Sequence, residues 1–455
     1  MAVMDSRPAL VASLLGLSLT VLPGFLVSLS LPRLMAEMAF GTQASGMILL
    51  AYLLGLTLAA LPMSAVAGRL GPRAGFRLGL VLMLVTAIPH GLPQNLEQML
   101  VLRFLQGIAL ASLLAGSIGL LRVSTPPGSL GRALGGAGLF SAAIMFVAPF
   151  VWNGLAALVP SLSLEFALVL TPLVGLAWWL ASRAPSEPQL RRFDLIGTLL
   201  SLLSIGLLIV AVPAITFLDW RWALRFLVGG LLFLALFVWH QSRRETPLLP
   251  LDLLARPRVT GAFLARLLVS AGLTLPELML IAYFYQGWEL SVATIGLTMS
   301  LTMLGSAIIG FLGGWALDRR PGLPLLPLGA LLLVLGFGGL ALQTPGDSGW
   351  LLLPPIIAMT VGRGAFEVAC GWRLLGGSPR HRAPAGQGLL TLAEAIARLV
   401  APYGTLLVAV LVDKAQLDQS LLVPLCLGVA AAGMLLAALL GLLGGRTGEV
   451  PEQSA

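Results

Sequence analysis

The sequence predicts an all-α, polytopic membrane protein. Apolar residues make up 58% of its 455 residues and charged residues only 10%, with a mean hydropathy of +0.97. A soluble domain needs far more charge than that. The apolar residues also fall in runs of about 20. At 1.5 Å rise per residue, such a run crosses a hydrocarbon core of about 30 Å. Third, the charged residues gather in the short segments between the runs rather than along one face.

Taken in order, the runs predict fourteen helices: 8–31, 44–67, 77–94, 99–121, 133–158, 164–183, 194–215, 221–240, 260–286, 293–316, 323–343, 349–373, 386–412 and 421–444. The first is too long for the apolar core of a signal peptide and no small-residue cleavage site follows it, so it reads as a retained span. An even count puts both termini on one side. Alternate loops carry Arg69, Arg73 and Arg77; Arg122 and Arg132; Arg183, Arg191 and Arg192; Arg243, Arg244, Arg256 and Arg258; Arg319 and Arg320; Arg373, Arg380 and Arg382. The opposite loops hold only Arg33, Arg221, Arg225 and Lys414. The arginine-rich side is cytoplasmic, and so are both termini. The expected location is a bacterial inner membrane.

The longest polar segments, 183–194 and 240–258, bracket a pair of spans in mid-chain. The expected organisation is therefore a six-helix bundle over 1–183, a central segment with two extra helices over 184–258, a second six-helix bundle over 259–445 and a tail over 446–455.

Several classes of function are excluded. The net charge of +8 comes from loop arginines, with no basic face or tail for nucleic acid. Cys370 and Cys426 both lie in apolar runs, and His90, His240 and His381 share no metal-ligand spacing. No nucleophile–base pair, metal site or cofactor loop is visible, so no enzyme activity, metal or cofactor is expected.

One loop recurs. After the second span the chain reads GRLGPRAG, Gly68 to Gly75; after the second span of the later half it reads GWALDRRP, Gly314 to Pro321. Aligned, Gly68 meets Gly314, Pro72 meets Asp318 and Arg73 meets Arg319. These loops resemble the G-x-x-x-D-R-x-G motif of the major facilitator superfamily, and Arg103, Gln106 and Gly107 in RFLQG resemble its R-x-x-Q-G motif. FDLIG at 193–197 and RRETPLLPLDLL at 243–254 are similar to the fourteen-span drug:proton antiporter branch, the EmrB/QacA type. The resemblance implies two six-helix bundles rocking about a central cavity, with proton flow driving export of amphipathic compounds. It implies a cytoplasmic latch at Gly68, Arg73, Gly314, Asp318 and Arg319. It also implies a role for Arg103 in packing against the first span or sensing protonation.

Three positions depart from that pattern. Pro72 replaces the first latch acid. Pro23 stands where the branch carries an aspartate in the first span. The antiporter motif G-P-x-x-G-G of the fifth span reads APFVWN: Pro149 remains, and Trp152 and Asn153 replace glycines.

Ionisable residues inside spans are costly and point to function. Arg363 and Glu367 in the twelfth span, and Glu394 and Arg398 in the thirteenth, are each spaced i,i+4 and share a helix face. The two helices are antiparallel, which places the glutamates at similar depth and predicts one four-charge cluster for gating or substrate. Glu277 in TLPELML has no basic residue at i±3 or i±4, and desolvation without a cation favours protonation. Glu277, Glu367 and Glu394 are thus the candidate proton carriers. The reading as a whole is a monomeric secondary transporter in the lipid bilayer, moving a small-molecule substrate and protons. Uptake or facilitated exchange, and a non-cycling receptor or partner subunit, remain open beside export.

Overall fold

The computed structural model describes residues 7–38, 42–159, 161–184, 194–217, 219–244, 247–248, 251–282, 284–285, 288–344, 349–376, 382–414 and 421–443. Among them fourteen helices exceed fifteen residues: α1 (Arg7–Met38), α2 (Thr42–Leu70), α3 (Pro72–Ala87), α4 (Leu96–Ser124), α5 (Leu130–Ala156), α6 (Leu162–Ala181), α7 (Leu195–Phe217), α8 (Trp220–Ser242), α9 (Pro257–Ala282), α10 (Val292–Arg319), α11 (Leu325–Ala341), α12 (Leu353–Gly376), α13 (Ala383–Lys414) and α14 (Leu422–Leu443). Each covers one predicted apolar run. The largest shift of a helix start is at α3, which opens at Pro72 rather than near 77 because Pro72 itself begins the helix. No strand occurs among the described residues.

Ten of the helices are long and apolar enough to cross a membrane. Helices α7 and α11 add the shorter apolar stretches Leu195–Ala211 and Leu325–Ala341. An α-helix satisfies its own backbone polar groups, which is why such runs take this form in hydrocarbon.

The helices pack as two compact units. The first comprises Met1–Pro126, Phe140–Leu251 and Ser378–Ala395. Its core gathers Leu15, Leu19, Leu22 and Leu26 of α1 with Phe76, Leu80 and Met83 of α3, Leu113 of α4 and Phe166 of α6, all under 6% exposed. Small residues set the closest crossings, as expected where packing rather than hydrophobicity drives helix association. A Cβ on Gly107 of α4 would overlap the Tyr52 carbonyl of α2, and one on Gly55 of α2 would overlap the Phe104 carbonyl of α4.

Helices α7 and α8 belong to this unit and are stapled at one end. The Asp194 carboxylate, just before α7, accepts from the Gly197 amide at 2.9 Å, from His240 Nε2 at 2.9 Å and from Gln241 Nε2 at 2.9 Å. Burial raises its pKa, but those three donors and the His240 charge outweigh burial and hold it below the usual 3.8. Gln241 Oε1 in turn accepts from the Leu248 amide at 2.6 Å.

The second unit comprises Pro127–Leu139, Asp252–Gly377 and Ile396–Ala455. Phe337 of α11 and Phe366 of α12 are fully buried in it. Arg373 Nη1 of α12 donates to the Gly441 carbonyl of α14 at 2.9 Å.

Candidate functional site

The repeated loop is built differently in its two copies. In the first, α2 ends at Leu70, Gly71 turns the chain with φ 82°, and Pro72 is the first residue of α3. That φ suits glycine. The first helical position suits proline, whose missing N–H would have no intrahelical partner there. So the proline found in place of the acid is the residue this shorter turn favours.

In the second copy α10 continues through Asp318 to Arg319. The Asp318 carboxylate accepts from the Gly131 amide at 2.7 Å and the Arg132 amide at 2.9 Å. Both amides belong to the first turn of α5, so the acid caps a helix that is not its own and meets the positive end of its dipole. Arg132 Nε lies 3.5 Å from the same carboxylate, which is only 5% exposed. One turn earlier, Gly314 meets Gly131 backbone to backbone, and a Cβ on either would overlap the other's carbonyl. Arg319 lays its guanidinium over Trp315 at 3.6 Å.

Helix α13 holds the counterpart of this first turn of α5. Gly135 of α5 packs on Gly310 and Phe311, four residues before the Gly314 contact; Gly388 of α13 packs on Ser64 and Ala60 of α2. Counting back four from each glycine, Gly131 corresponds to Pro384. Proline has no N–H to give. The first copy has therefore lost the acceptor at Pro72 and one of the two donors at Pro384, while Ala385, in the place of Arg132, keeps its N–H. Around Gly68 nothing beyond its chain neighbours and own helix backbone lies within 4 Å of a built Cβ. Arg73 is half-buried, and Arg77 stacks on Trp178 at 4.4 Å. Pro384 was not singled out from the sequence, although its position after the arginine-rich loop and four residues before Gly388 was visible.

The residues of RFLQG form a buried polar knot. Arg103 is 3% and Gln106 3% exposed. Arg103 Nη1 donates to Gln106 Oε1 at 2.5 Å, and its guanidinium lies 5.0 Å from the Tyr52 ring centre. His90, fully buried, holds the Ala87 carbonyl through Nδ1 at 2.8 Å and stacks on Phe166 with ring centres 5.3 Å apart. A small cavity, about 10 Å³ of space open to a water centre, adjoins Gln106. Leu19, Thr20, Pro23, Gly24, Tyr52, Met83 and Leu110 complete its wall.

Arg363 Nε and Glu367 Oε1 pair along α12 at 3.2 Å, with side chains 45% and 41% uncovered by protein. Glu394 of α13 is half-buried and Arg398, one turn on, is exposed. Glu277 lies in α9, and its side chain is outside the described residues, as is the tail over 446–455. In α5, Pro149 is inside the helix, Asn153 is exposed and Trp152 is 3% exposed, edge-on to Phe166 at 5.0 Å. The tryptophan is thus a core residue of the first unit.

Sequence reasoning missed a second buried charge. Glu165 of α6, with 1% of its side chain exposed, pairs with Arg33 of α1 at 2.7 Å. The two are 132 residues apart, and no local pattern links them.

With this geometry in place, the comparisons define the class. A model of the Major Facilitator Superfamily matches residues 10–402. The chain belongs to that superfamily and is a multi-pass membrane transporter. It is 24% identical over 427 residues to the uncharacterized transporter YebQ of Escherichia coli (strain K12), covering 89% of each chain. It is 26% identical over 431 residues to a probable actinorhodin transporter of Streptomyces coelicolor, covering 87% of this chain and 71% of that one. To a tetracenomycin C resistance and export protein of Streptomyces glaucescens it is 26% identical over 354 residues, covering 75% and 64%. Among solved structures, the proton:xylose symporter XylE matches with TM-score 0.67 at 15% identity over 96% and 94% of the two chains. The human organic anion transporter MFSD10 matches with TM-score 0.64 at 18% identity over 96% and 99%. At such identities these two show the shared fold.

Proposed function

We propose that this transporter works by alternating access and exports small amphipathic organic compounds across a bacterial inner membrane. The observation that carries the reading is the Asp318 clasp on α5, a contact between helix ends that can form and release as the protein cycles. Two antibiotic transporters among its relatives, one of them named for export, support the direction. In this reading all fourteen helices span the membrane, both termini are cytoplasmic and the protein acts as a monomer of the fourteen-span antiporter branch. Two bundles, 1–183 and 259–445, flank the extra pair α7–α8.

The proton carriers in this reading are Glu277, Glu367 and Glu394. Arg363 and Glu367 are left uncovered by protein at mid-span, which fits a water-filled path better than lipid. Glu394 and Arg398, one turn apart on α13, are the second charged pair of this reading.

The test is efflux of a panel of lipophilic cations and organic acids from a pump-deficient host, with and without a protonophore. Wild type, Glu277→Gln and Glu367→Gln are compared. Export that collapses with the protonophore, and in one mutant, supports the reading. Retention equal to empty vector across the panel, at normal membrane expression, refutes it.

A further inference from the structure

The first copy of the repeated loop leaves its arginines without an acid. Arg73 and Arg77 stand four residues apart at the start of α3, on one face, where like charges oppose each other. Among the described residues no carboxylate pairs with either, and the Nε of each is buried without a hydrogen bond. In the second copy Asp318 stands one residue before Arg319; here Pro72 stands one residue before Arg73. The Arg77 guanidinium, half-buried, lies over the Trp178 ring of α6 at 4.4 Å. Trp178 is itself 39% exposed, and the next residue, Trp179, is exposed and carries Arg183 at 5.0 Å. Arg77 is five residues past the opening of α3 and Trp178 three before the close of α6, so both lie within about 8 Å of a helix end. In a membrane protein that is the depth of the lipid headgroups, where tryptophan rings gather.

We propose that Arg73 and Arg77, beside Trp178, bind the phosphate of an anionic phospholipid at the membrane surface. A guanidinium donates two parallel hydrogen bonds to a phosphate, whose charge offsets two cations that no described carboxylate offsets. The headgroup must bring no cation of its own. A choline or ethanolamine head would set its ammonium against Arg73 and Arg77, whereas phosphatidylglycerol has none. The uncovered part of the Trp178 ring lies against the lipid's glycerol and first acyl carbons, an apolar surface with a polar edge at headgroup depth. A soluble phosphate has the charge but no chains to place beside Trp178. The site is independent of what the protein transports.

The experiment is native mass spectrometry of the purified full-length protein in detergent. It is titrated with phosphatidylglycerol, phosphatidylethanolamine or phosphatidylcholine of identical acyl chains, and with glycerol 3-phosphate as competitor. Phosphatidylglycerol should occupy its first site at the lowest concentration. Arg73→Gln combined with Arg77→Gln should need about tenfold or more of it for the same occupancy, the loss expected for one charge-assisted hydrogen bond. Arg77→Lys, which keeps the charge and loses the planar fork, should fall between. Pro72→Asp places a carboxylate beside Arg73 and should weaken binding with both arginines present, so the test stands even if the double variant does not fold. Arg243→Gln removes another arginine stacked on a tryptophan, Trp239 at 4.4 Å, and should leave the first site unchanged. The proposal is overturned if phosphatidylglycerol binds no tighter than phosphatidylcholine, or if the folded double variant or Pro72→Asp binds it as the wild type does. An equal loss in Arg243→Gln overturns it as well. Competition by glycerol 3-phosphate at the lipid's own concentration would assign the arginines to a soluble phosphate and overturn it too.

Discussion

Replacing Asp318 with asparagine should loosen the start of α5 from the end of α10. The carboxylate accepts two backbone N–H groups, at 2.7 and 2.9 Å, and asparagine can accept only one of them, turning an amide donor toward the other. Losing one charge-assisted hydrogen bond costs about 1.5–3 kcal/mol. Removing the charge from the end of the helix dipole adds roughly 0.3–1 kcal/mol. The Arg132 guanidinium is half-exposed, so its pair contributes less than about 1 kcal/mol and often nothing. The total is about 2–4 kcal/mol, which enlarges the open population roughly 30- to 900-fold. Leu130, 6% exposed in the first turn of α5, is the reporter. A Leu130→Cys variant can be followed by maleimide labelling in membranes, since both native cysteines are buried and give little background. Labelling should accelerate at least tenfold when Asp318→Asn is added. An unchanged rate, with both proteins expressed and folded, would refute the assignment of the clasp to this carboxylate.

Two further outcomes follow from buried charges. Glu165→Ala should lower stability by about 2 kcal/mol, read as a fall in Tm, because it removes the buried carboxylate that Arg33 pairs with; a fully buried partner would cost about 3–5 kcal/mol, but Arg33 is one-third exposed and can be hydrated. Asp194→Ala should cost about 2 kcal/mol and raise amide exchange in the first turn of α7, since three donors lose their acceptor. The folded-state pKa of Asp194 is depressed, so its contribution is present above the ordinary value of 3.8 and is lost as pH falls through the lowered one. The Tm gap between wild type and Asp194→Ala should persist at about pH 5 and shrink below about pH 4; a gap that is unchanged under acid would contradict the carboxylate's role.

The helices were legible in the sequence because hydropathy and helix ends are local. Each apolar run satisfies its own backbone, and residues such as Pro72 mark where a helix opens. Asp318 was legible for a related reason: it stands at a fixed spacing in a loop that appears twice, so one copy showed what the other lacks. The sequence by itself therefore determined the helices, their order, the internal repeat and the superfamily.

Lateral partners were decided only by the tertiary structure. Gly131 and Asp318 are 187 residues apart, and Arg33 and Glu165 are 132 apart. Nothing in either segment names the other. The match between Pro72 and Pro384 has the same character: a missing acceptor and a missing donor make sense together only when α2 and α13 are seen in contact through Ser64 and Gly388. Arg103 shows the limit most clearly. Its depth could be counted along α4, but whether its charge was paired depended on what α2 and the end of α3 brought beside it. They brought a tyrosine ring and a histidine. Burial and pairing are sums over neighbours distant in the chain, and only the packed helices supply those neighbours.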